Sequence, residues 1–270
     1  MTEAVRPVTV VHVGPSGREA REDQVAVEEP LAVRVEGRVL LTTMRTPGAD
    51  RELAAGLLLS ERVVWSPDDV GTIQACVDAA RQNVVDVTLV GPAATRARTA
   101  DAAQRLVAGT SACGVCGRQS IDDLRAGVPP IATHFRTTAA VILSCPDRLR
   151  AAQAVFARTG GLHAAALFTA GGDLVAVAED VGRHNAVDKV IGGQLLVDRF
   201  PLDDVLLFVS GRTSFEIVQK AACAGIQLVA SVSAPSSLAV DLASELGLTL
   251  VGFVRGTSCN VYAHPARVSG

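Results

Sequence analysis

The apolar positions change period along the chain, and the change divides it in two. Residues 31–35 and 38–41 are apolar β-formers separated by Glu36-Gly37, which predicts a hairpin. From Asp50, the positions Leu53, Ala54, Leu57 and Leu58 fall at helical spacing, with Asp50 as the expected N-cap. Residues 73–77 and 84–90 predict a second strand pair around a polar turn, so the first hundred residues read as a small α+β unit. The second half alternates more regularly. Residues 147–158 predict an amphipathic helix ending at Gly160-Gly161, and 162–169 and 174–178 predict strands joined at Gly171-Gly172-Asp173. Residues 186–197 predict a helix with Val187, Val190, Ile191 and Leu195 on one face. The continuous apolar run 205–209 predicts a strand buried on both faces. A helix over 214–224, a strand over 228–231, a helix over 236–246 and a strand over 249–254 follow. This order predicts a layered α/β domain with a mostly parallel sheet. Between the halves, 92–98 is polar and rich in Ala, Arg and Thr, and Gly109, Gly114 and Gly117 frame two cysteines. Glycine turns without a Cβ penalty, so a mobile loop is expected there. The expected organisation is a small α+β unit over 1–105, the loop over 106–127, and an α/β domain over 128–270.

Composition narrows the function classes. The chain has 270 residues, 49% of them hydrophobic, enough for a substantial core. A formal charge of −3 gives no reason to expect nucleic acid or a membrane surface as partner. The longest apolar stretch is too short to span a bilayer, and the N-terminus lacks the apolar run of a secretory signal. A cytoplasmic location is expected, where thiols stay reduced and the six cysteines are no disulfide framework. Cys76, Cys145, Cys223 and Cys259 are scattered and read as small buried hydrophobes.

Cys113 and Cys116 form the one local cysteine motif, in TSACGVCGRQS. Structural zinc needs four ligands, and there is no second Cys-x-x-Cys. A zinc deaminase needs His-x-Glu and Pro-Cys-x-x-Cys, and neither occurs. A thioredoxin-like couple follows a strand directly, whereas AGTSA precedes Cys113 here. Sulfur carriage by a persulfide remains: it needs an accessible thiolate on a segment that can visit a donor and then a recipient. The plain alternative is a chance pair on a structural turn. Three further stretches sit at strand-to-helix or strand-end positions. In the run from Glu179 to Asn185, charged side chains crowd one junction. That reads equally as a ligand site or as a helix cap with solvated charges. Ser210-Gly211-Arg212-Thr213-Ser214 places backbone N–H groups at a helix N-terminus, which favours anions. In Phe253-Val254-Arg255-Gly256-Thr257-Ser258, Arg255 offers a fork of donors to phosphate, Gly256 permits close backbone approach, and Phe253 offers a flat face.

Together these stretches resemble the formate dehydrogenase accessory sulfurtransferase family, FdhD. The matching segments are EEPLAVRVEG, GLLLSERVV, TSACGVCGRQS, EDVGRHNAVDKVIG, SGRTSFEIVQKAACAGIQLVASVSAPSSLA and LVGFVRGTSCNVY, in order, over roughly residues 28 to 265. The resemblance implies a cytidine-deaminase-like second domain without the zinc site. It implies a homodimeric sulfurtransferase that takes sulfur from a cysteine desulfurase and delivers it to the molybdenum of bis-molybdopterin guanine dinucleotide, before that cofactor enters formate dehydrogenase. No permanently bound metal is expected. By the same resemblance Cys113 carries the persulfide and Cys116 assists transfer or release. Phe253, Val254, Arg255, Gly256, Thr257 and Ser258 match the cofactor-binding segment, and His184 and Arg212 lie in matching motifs. The alternatives are a cofactor-binding chaperone that moves no sulfur, and a metalloenzyme acting on nucleotides.

Overall fold

The computed structural model describes residues 3–75, 83–99, 131 and 134–270. It opens with an antiparallel ribbon, β1 (Val5–Gly14) and β2 (Gly17–Ala26), which the hydrophobic pattern does not announce. Both faces of the ribbon are largely in water, Val11 and Val13 included, so no apolar alternation marks it.

The first expected hairpin is present and longer than its apolar run, as β3 (Glu29–Val35) and β4 (Arg38–Arg45). Glu36 and Gly37 both take positive φ, 50° and 77°, the two-residue turn whose twist matches that of paired strands. Helix α1 (Asp50–Ser60) follows, but Asp50 does not cap it. Its carboxylate instead takes two bonds from the Arg45 guanidinium, at 2.9 and 3.0 Å. Arg45 is 1% exposed and also reaches Glu29 and Asn83. A buried guanidinium left unpaired is costly, whereas the start of α1 at Gly48 and Ala49 is open to water. Strands β5 (Val70–Ala75) and β6 (Val84–Leu89) complete a four-stranded sheet in the order β4-β3-β6-β5. The polar stretch after β6 forms helix α2 (Gly91–Thr99), with Pro92 in its first turn, where a missing N–H costs nothing.

The short strand β7 (Thr137–Thr138) leads into α3 (Ala139–Ala152), which begins well before the expected start at Asp147. Thr138 caps it through the Val141 N–H, and Pro146 lies inside it. Ile142, Cys145 and Leu149 carry one buried face across the proline and hold the helix against the sheet. The expected single helix breaks at Gln153, and α4 (Ala154–Thr159) is a separate turn. The remaining elements alternate as the sequence suggests. They are β8 (His163–Thr169), β9 (Leu174–Asp180), α5 (Arg183–Leu195), β10 (Val205–Val209), α6 (Phe215–Cys223), β11 (Leu228–Ser231), α7 (Ser237–Leu246) and β12 (Thr249–Arg255). A further strand, β13 (Ser258–Ala263), hairpins back from β12, and β14 (Val268–Ser269) pairs with β7.

The central sheet runs β13-β12-β11-β10-β8-β9. Only β10-β11 and β11-β12, joined through α6 and α7, are parallel. The pairs β12-β13, β10-β8 and β8-β9 are antiparallel, so the sheet is mixed rather than mostly parallel. The cause is local: two of these pairs are direct hairpins, with no helix to carry the chain back.

Both faces of the sheet are covered. Leu206 and Phe208 of β10 join Phe168, Ile142 and Leu149 under α3. Val205, Leu207 and Val209 face the opposite core, shared with α1, α5, α6 and the small sheet. All five β10 side chains are buried, each such burial contributing about 1.5–3 kcal/mol. Helices α1 and α5 meet backbone to backbone. A Cβ on Gly56 would fall on the Asp188 carbonyl, and one on Gly192 on the Glu52 carbonyl. Among the described residues no helix is long and apolar enough to cross a membrane. The expected boundaries at 105/106 and 127/128, the loop with Cys113 and Cys116, and Cys76 all lie outside the described residues.

Candidate functional site

The parallel strands β10, β11 and β12 end at one edge of the central sheet, and their loops are stitched together there. Thr213 N–H donates to the Ala234 carbonyl at 3.3 Å, and Ser236 N–H donates to Thr213 O at 3.0 Å. Phe253 N–H donates to the Ser233 carbonyl at 3.1 Å, and Arg255 Nε donates to the Val232 carbonyl at 2.8 Å. Antiparallel pairing brings the start of β8 and the end of β9 to the same edge, with His163 opposite Asp180. The N-termini of α5, α6 and α7 begin from this edge, which is where open α/β sheets bind ligands.

The stretch from Glu179 to Lys189 resolves residue by residue. Asp180 is fully buried and its carboxylate takes four partners: Thr46 N–H, Gly182 N–H, the Asn185 amide and Lys189 Nζ, the last at 2.8 Å. Lys189 also donates to the Thr46 carbonyl at 2.8 Å, and Asn185 to the Met44 carbonyl at 2.8 Å, so the motif fastens α5 to the end of β4. Glu179 accepts from Val155 and Phe156 N–H and caps α4. One turn on, Asp188 receives two 2.8 Å bonds from Lys220 and one from Ser60. Burial pushes the Asp188 carboxyl up, and Lys220 and Ser60 pull it back. These residues build the fold through paired hydrogen bonds and are not solvated charges.

Arg183 and His184 behave differently. His184 Nε2 lies 2.9 Å from Ser214 Oγ and 3.2 Å from Glu216 Oε2, bridging the starts of α5 and α6. Burial pushes the Glu216 carboxyl up to about 7, against the pull of Lys220 and Arg183. Burial, then the Arg183 charge, lowers the His163 imidazole, with Asp180 opposing, so the ring is neutral at neutral pH. Arg212 is exposed on the loop beside them.

The other expected binding segment is the turn of the β12-β13 hairpin. Phe253 and Val254 face the single residue Cys259, a β-bulge that the sequence does not reveal. Phe253 adopts φ 52°, rare for a non-glycine residue, and Gly256 adopts 54°. The bulge leaves the Phe253 ring 37% exposed, with the Arg255 guanidinium over it at 5.5 Å. Arg255, Gly256, Thr257 and Ser258 are exposed, but Val254 is 1% exposed and its side chain belongs to the core under α3.

Thus His184, Arg212 and the Phe253–Ser258 turn share one sheet edge, while Cys113 and Cys116 fall outside the described residues. Sequence reasoning placed Arg183, Thr213 and Ser214 inside candidate stretches without giving any of them a role of its own, and it did not single out His163 or Glu216. The signal for Arg183 was legible: it opens a helix that has no acid in its first turn. Cys145 and Cys223 are buried as expected, burial pushing the Cys145 thiol up to about 12, whereas Cys259 is only half-buried. Among the described residues, no group of three His, Cys, Asp or Glu side chains is placed to hold a metal ion.

Comparison with known proteins completes the description of the chain. Residues 26–269 match the model of the FdhD/NarQ family. A sulfur carrier protein FdhD from Nocardia farcinica is 50% identical over 266 residues, covering 96% of this chain and 93% of that protein. The protein of that name from Mycobacterium tuberculosis is 48% identical over 260 residues, covering 92% and 93%. The crystal structure of a protein described as a formate dehydrogenase accessory protein, from Desulfotalea psychrophila, superimposes with a TM-score of 0.79 at 27% identity, over 98% of this chain and 100% of that one. With the family model matched over nearly its whole length, and relatives near half identity, this chain belongs to the FdhD/NarQ family.

Proposed function

We propose that this protein is a sulfur carrier for formate dehydrogenase maturation. It would accept sulfur on Cys113 from a cysteine desulfurase and deliver it to the molybdenum of bis-molybdopterin guanine dinucleotide. The observation that carries the reading is near half identity, over nearly the full length, to proteins named sulfur carrier protein FdhD, in a chain that holds one Cys-x-x-Cys.

The chemistry balances on the two thiols. The Cys113 thiolate attacks the outer sulfur of a desulfurase persulfide, and the desulfurase thiolate leaves. The Cys116 thiolate then attacks the inner sulfur on Cys113. The sulfur–sulfur bond breaks, hydrosulfide departs, and a Cys113–Cys116 disulfide remains. Two thiols are oxidised and one sulfur is reduced. Hydrosulfide replaces an oxygen ligand on molybdenum, which leaves as water with two protons, and a cellular dithiol reduces the disulfide.

The recipient is a large polyanion with two guanines. The sheet edge fits that chemistry: Phe253 offers an exposed ring, and Arg255 keeps guanidinium N–H groups without partners among the described residues. Arg212 and the backbone after Gly211 add positive potential at a helix N-terminus. A homodimer and a cytoplasmic setting belong to the same proposal.

Intact mass after incubation with a cysteine desulfurase and cysteine tests it. The expected result is a reducible gain of one sulfur atom that disappears in Cys113→Ala, with formate dehydrogenase left inactive in cells carrying that variant. Active formate dehydrogenase in cells that carry Cys113→Ala together with Cys116→Ala would instead support a chaperone that binds the cofactor and moves no sulfur.

A further inference from the structure

The ribbon β1-β2 stands ahead of the matched family region, which begins at residue 26. Its base is fixed: Val5 is buried, and Gln24 Oε1 accepts from Arg158 Nε of α4 at 2.9 Å. Its far half is not, and every residue of β2 from Gly17 to Gln24 is exposed. A two-stranded ribbon has two open edges, and the register shows what each one offers. Val27 N–H donates to the Ala4 carbonyl at 2.9 Å, continuing the pairs of the ribbon. Bonded pairs alternate along an antiparallel ladder, so Glu19, Arg21 and Asp23 bond to β1. Arg18, Ala20 and Glu22 therefore turn their backbone N–H and C=O groups outward, where they meet no partner among the described residues. The same alternation turns Pro7 outward on β1, and proline has no N–H to offer, so that edge is blunted.

The charges along the open edge of β2 are ordered. Reversed, and with its signs exchanged, Arg18-Glu19-Ala20-Arg21-Glu22 is the same sequence. A second copy laid antiparallel, with Ala20 against Ala20, places Arg18 opposite its Glu22 and Glu19 opposite its Arg21. The outward groups of Arg18, Ala20 and Glu22 then face those of Glu22, Ala20 and Arg18, as a ladder requires. A slide of two residues, the smallest that keeps outward groups facing, sets Arg21 on Arg21 or Glu19 on Glu19. A charged edge ordinarily discourages pairing, and this one rejects both neighbouring registers. The apolar positions agree. Val11 lies beside Ala20 in the ribbon, and Val11 and Val13 are 64% and 65% exposed. In the paired sheet Val11, Ala20 and their copies form one apolar row, flanked on both sides by Arg18–Glu22 pairs.

We propose that β2 pairs with β2 of a second copy, giving a four-stranded sheet β1-β2-β2-β1 about a twofold axis at Ala20. This contact rests on the homodimer reading and gives that dimer its surface.

Sedimentation equilibrium of the full chain tests it. Wild type is a dimer. Arg18→Glu turns two attractive cross-strand pairs into two repulsive ones and weakens the dimer about 10- to 100-fold. Arg18→Glu combined with Glu22→Arg sets opposite charges face to face again and returns the affinity to within about 3-fold of wild type. Both side chains are exposed, and circular dichroism checks each variant. A cross-link tests the register. Ala20→Cys treated with diamide forms a disulfide-linked dimer, because Cα atoms across a bonded pair are about 5.5 Å apart. Val11→Cys would lie about 14 Å from its copy and gives no more cross-linking than wild type, whose own cysteines set the background. Wild-type affinity in Arg18→Glu overturns the ribbon contact and leaves the homodimer reading standing. A loss that the exchanged pair does not restore, or a cross-link no stronger at Ala20→Cys than at Val11→Cys, overturns it in the same way. Wild type that sediments as a monomer overturns the contact and the homodimer reading together.

Discussion

Within one stretch of α5 and the turn before it, charged groups a few residues apart meet opposite fates. Asp180, Asp188 and Lys189 are buried and paired: Asp180 and Lys189 with each other and with Thr46 just after β4, and Asp188 with Ser60 of α1 and Lys220 of α6. Arg183, between them in sequence, has a buried Nε with no hydrogen-bond partner among the described residues. The first group makes sense without any ligand, because desolvated charges inside a protein must be paired. The second has the Glu216 carboxylate within electrostatic reach but no hydrogen bond to its buried Nε. A polar motif is therefore not one signal: the satisfied residues specify the fold, and the unsatisfied one is free of that structural duty.

That contrast can be broken from its strongest side first. Lys220→Met strands the Asp188 carboxylate in the core and should lower unfolding free energy by about 3–5 kcal/mol, measured by urea denaturation. Adding Asp188→Leu should restore most of that loss, because an apolar pair replaces the buried ions. Next comes the helix contact that brings these charges together. Gly192→Ala drives a methyl into the Glu52 carbonyl and should cost about 1–3 kcal/mol in the same assay. On the unsatisfied side the sign changes. Arg183→Gln removes a cation from a helix N-terminus and should leave ligand-free stability unchanged or raised, within about 1 kcal/mol. A loss larger than that would place Arg183 with the structural charges.

The smallest effect is on pH dependence. Glu216 is raised in the folded protein to about 7 from an ordinary value of 4.5, so the folded state holds the proton more tightly than the unfolded chain. Its contribution is fully present below 4.5 and is lost as pH rises toward about 7. Relative to Glu216→Gln, wild type should therefore lose stability between those values and run parallel above them. Chemical denaturation of the pair at several pH values checks the slope.

The regular elements were legible because each buries one stripe or one run. The β10 run, the α5 face at Val187, Val190, Ile191 and Leu195, and the Glu36-Gly37 hairpin all follow from period and turn chemistry. The ribbon β1-β2 was not, since exposed strands carry no apolar alternation. The hairpin β12-β13 was missed because its bulge breaks the period just where Phe253 turns outward. The site was half legible. Anion-favouring loops after strands were visible in the order of elements, but pairing depends on residues far apart. Nothing near Lys220 in sequence names Asp188, and nothing near Gly211 names His163.

The chain holds only two lysines, Lys189 and Lys220, and both are buried in carboxylate pairs, 4% and 7% exposed. Amine chemistry on the folded protein therefore finds no ε-amino group to react with. Acylating reagents, lysine cross-linkers and enzymes that acetylate lysine side chains would all meet a surface without an accessible lysine. The two amines become reactive only when the helices that hide them come apart, so lysine labelling reads the opening of this fold.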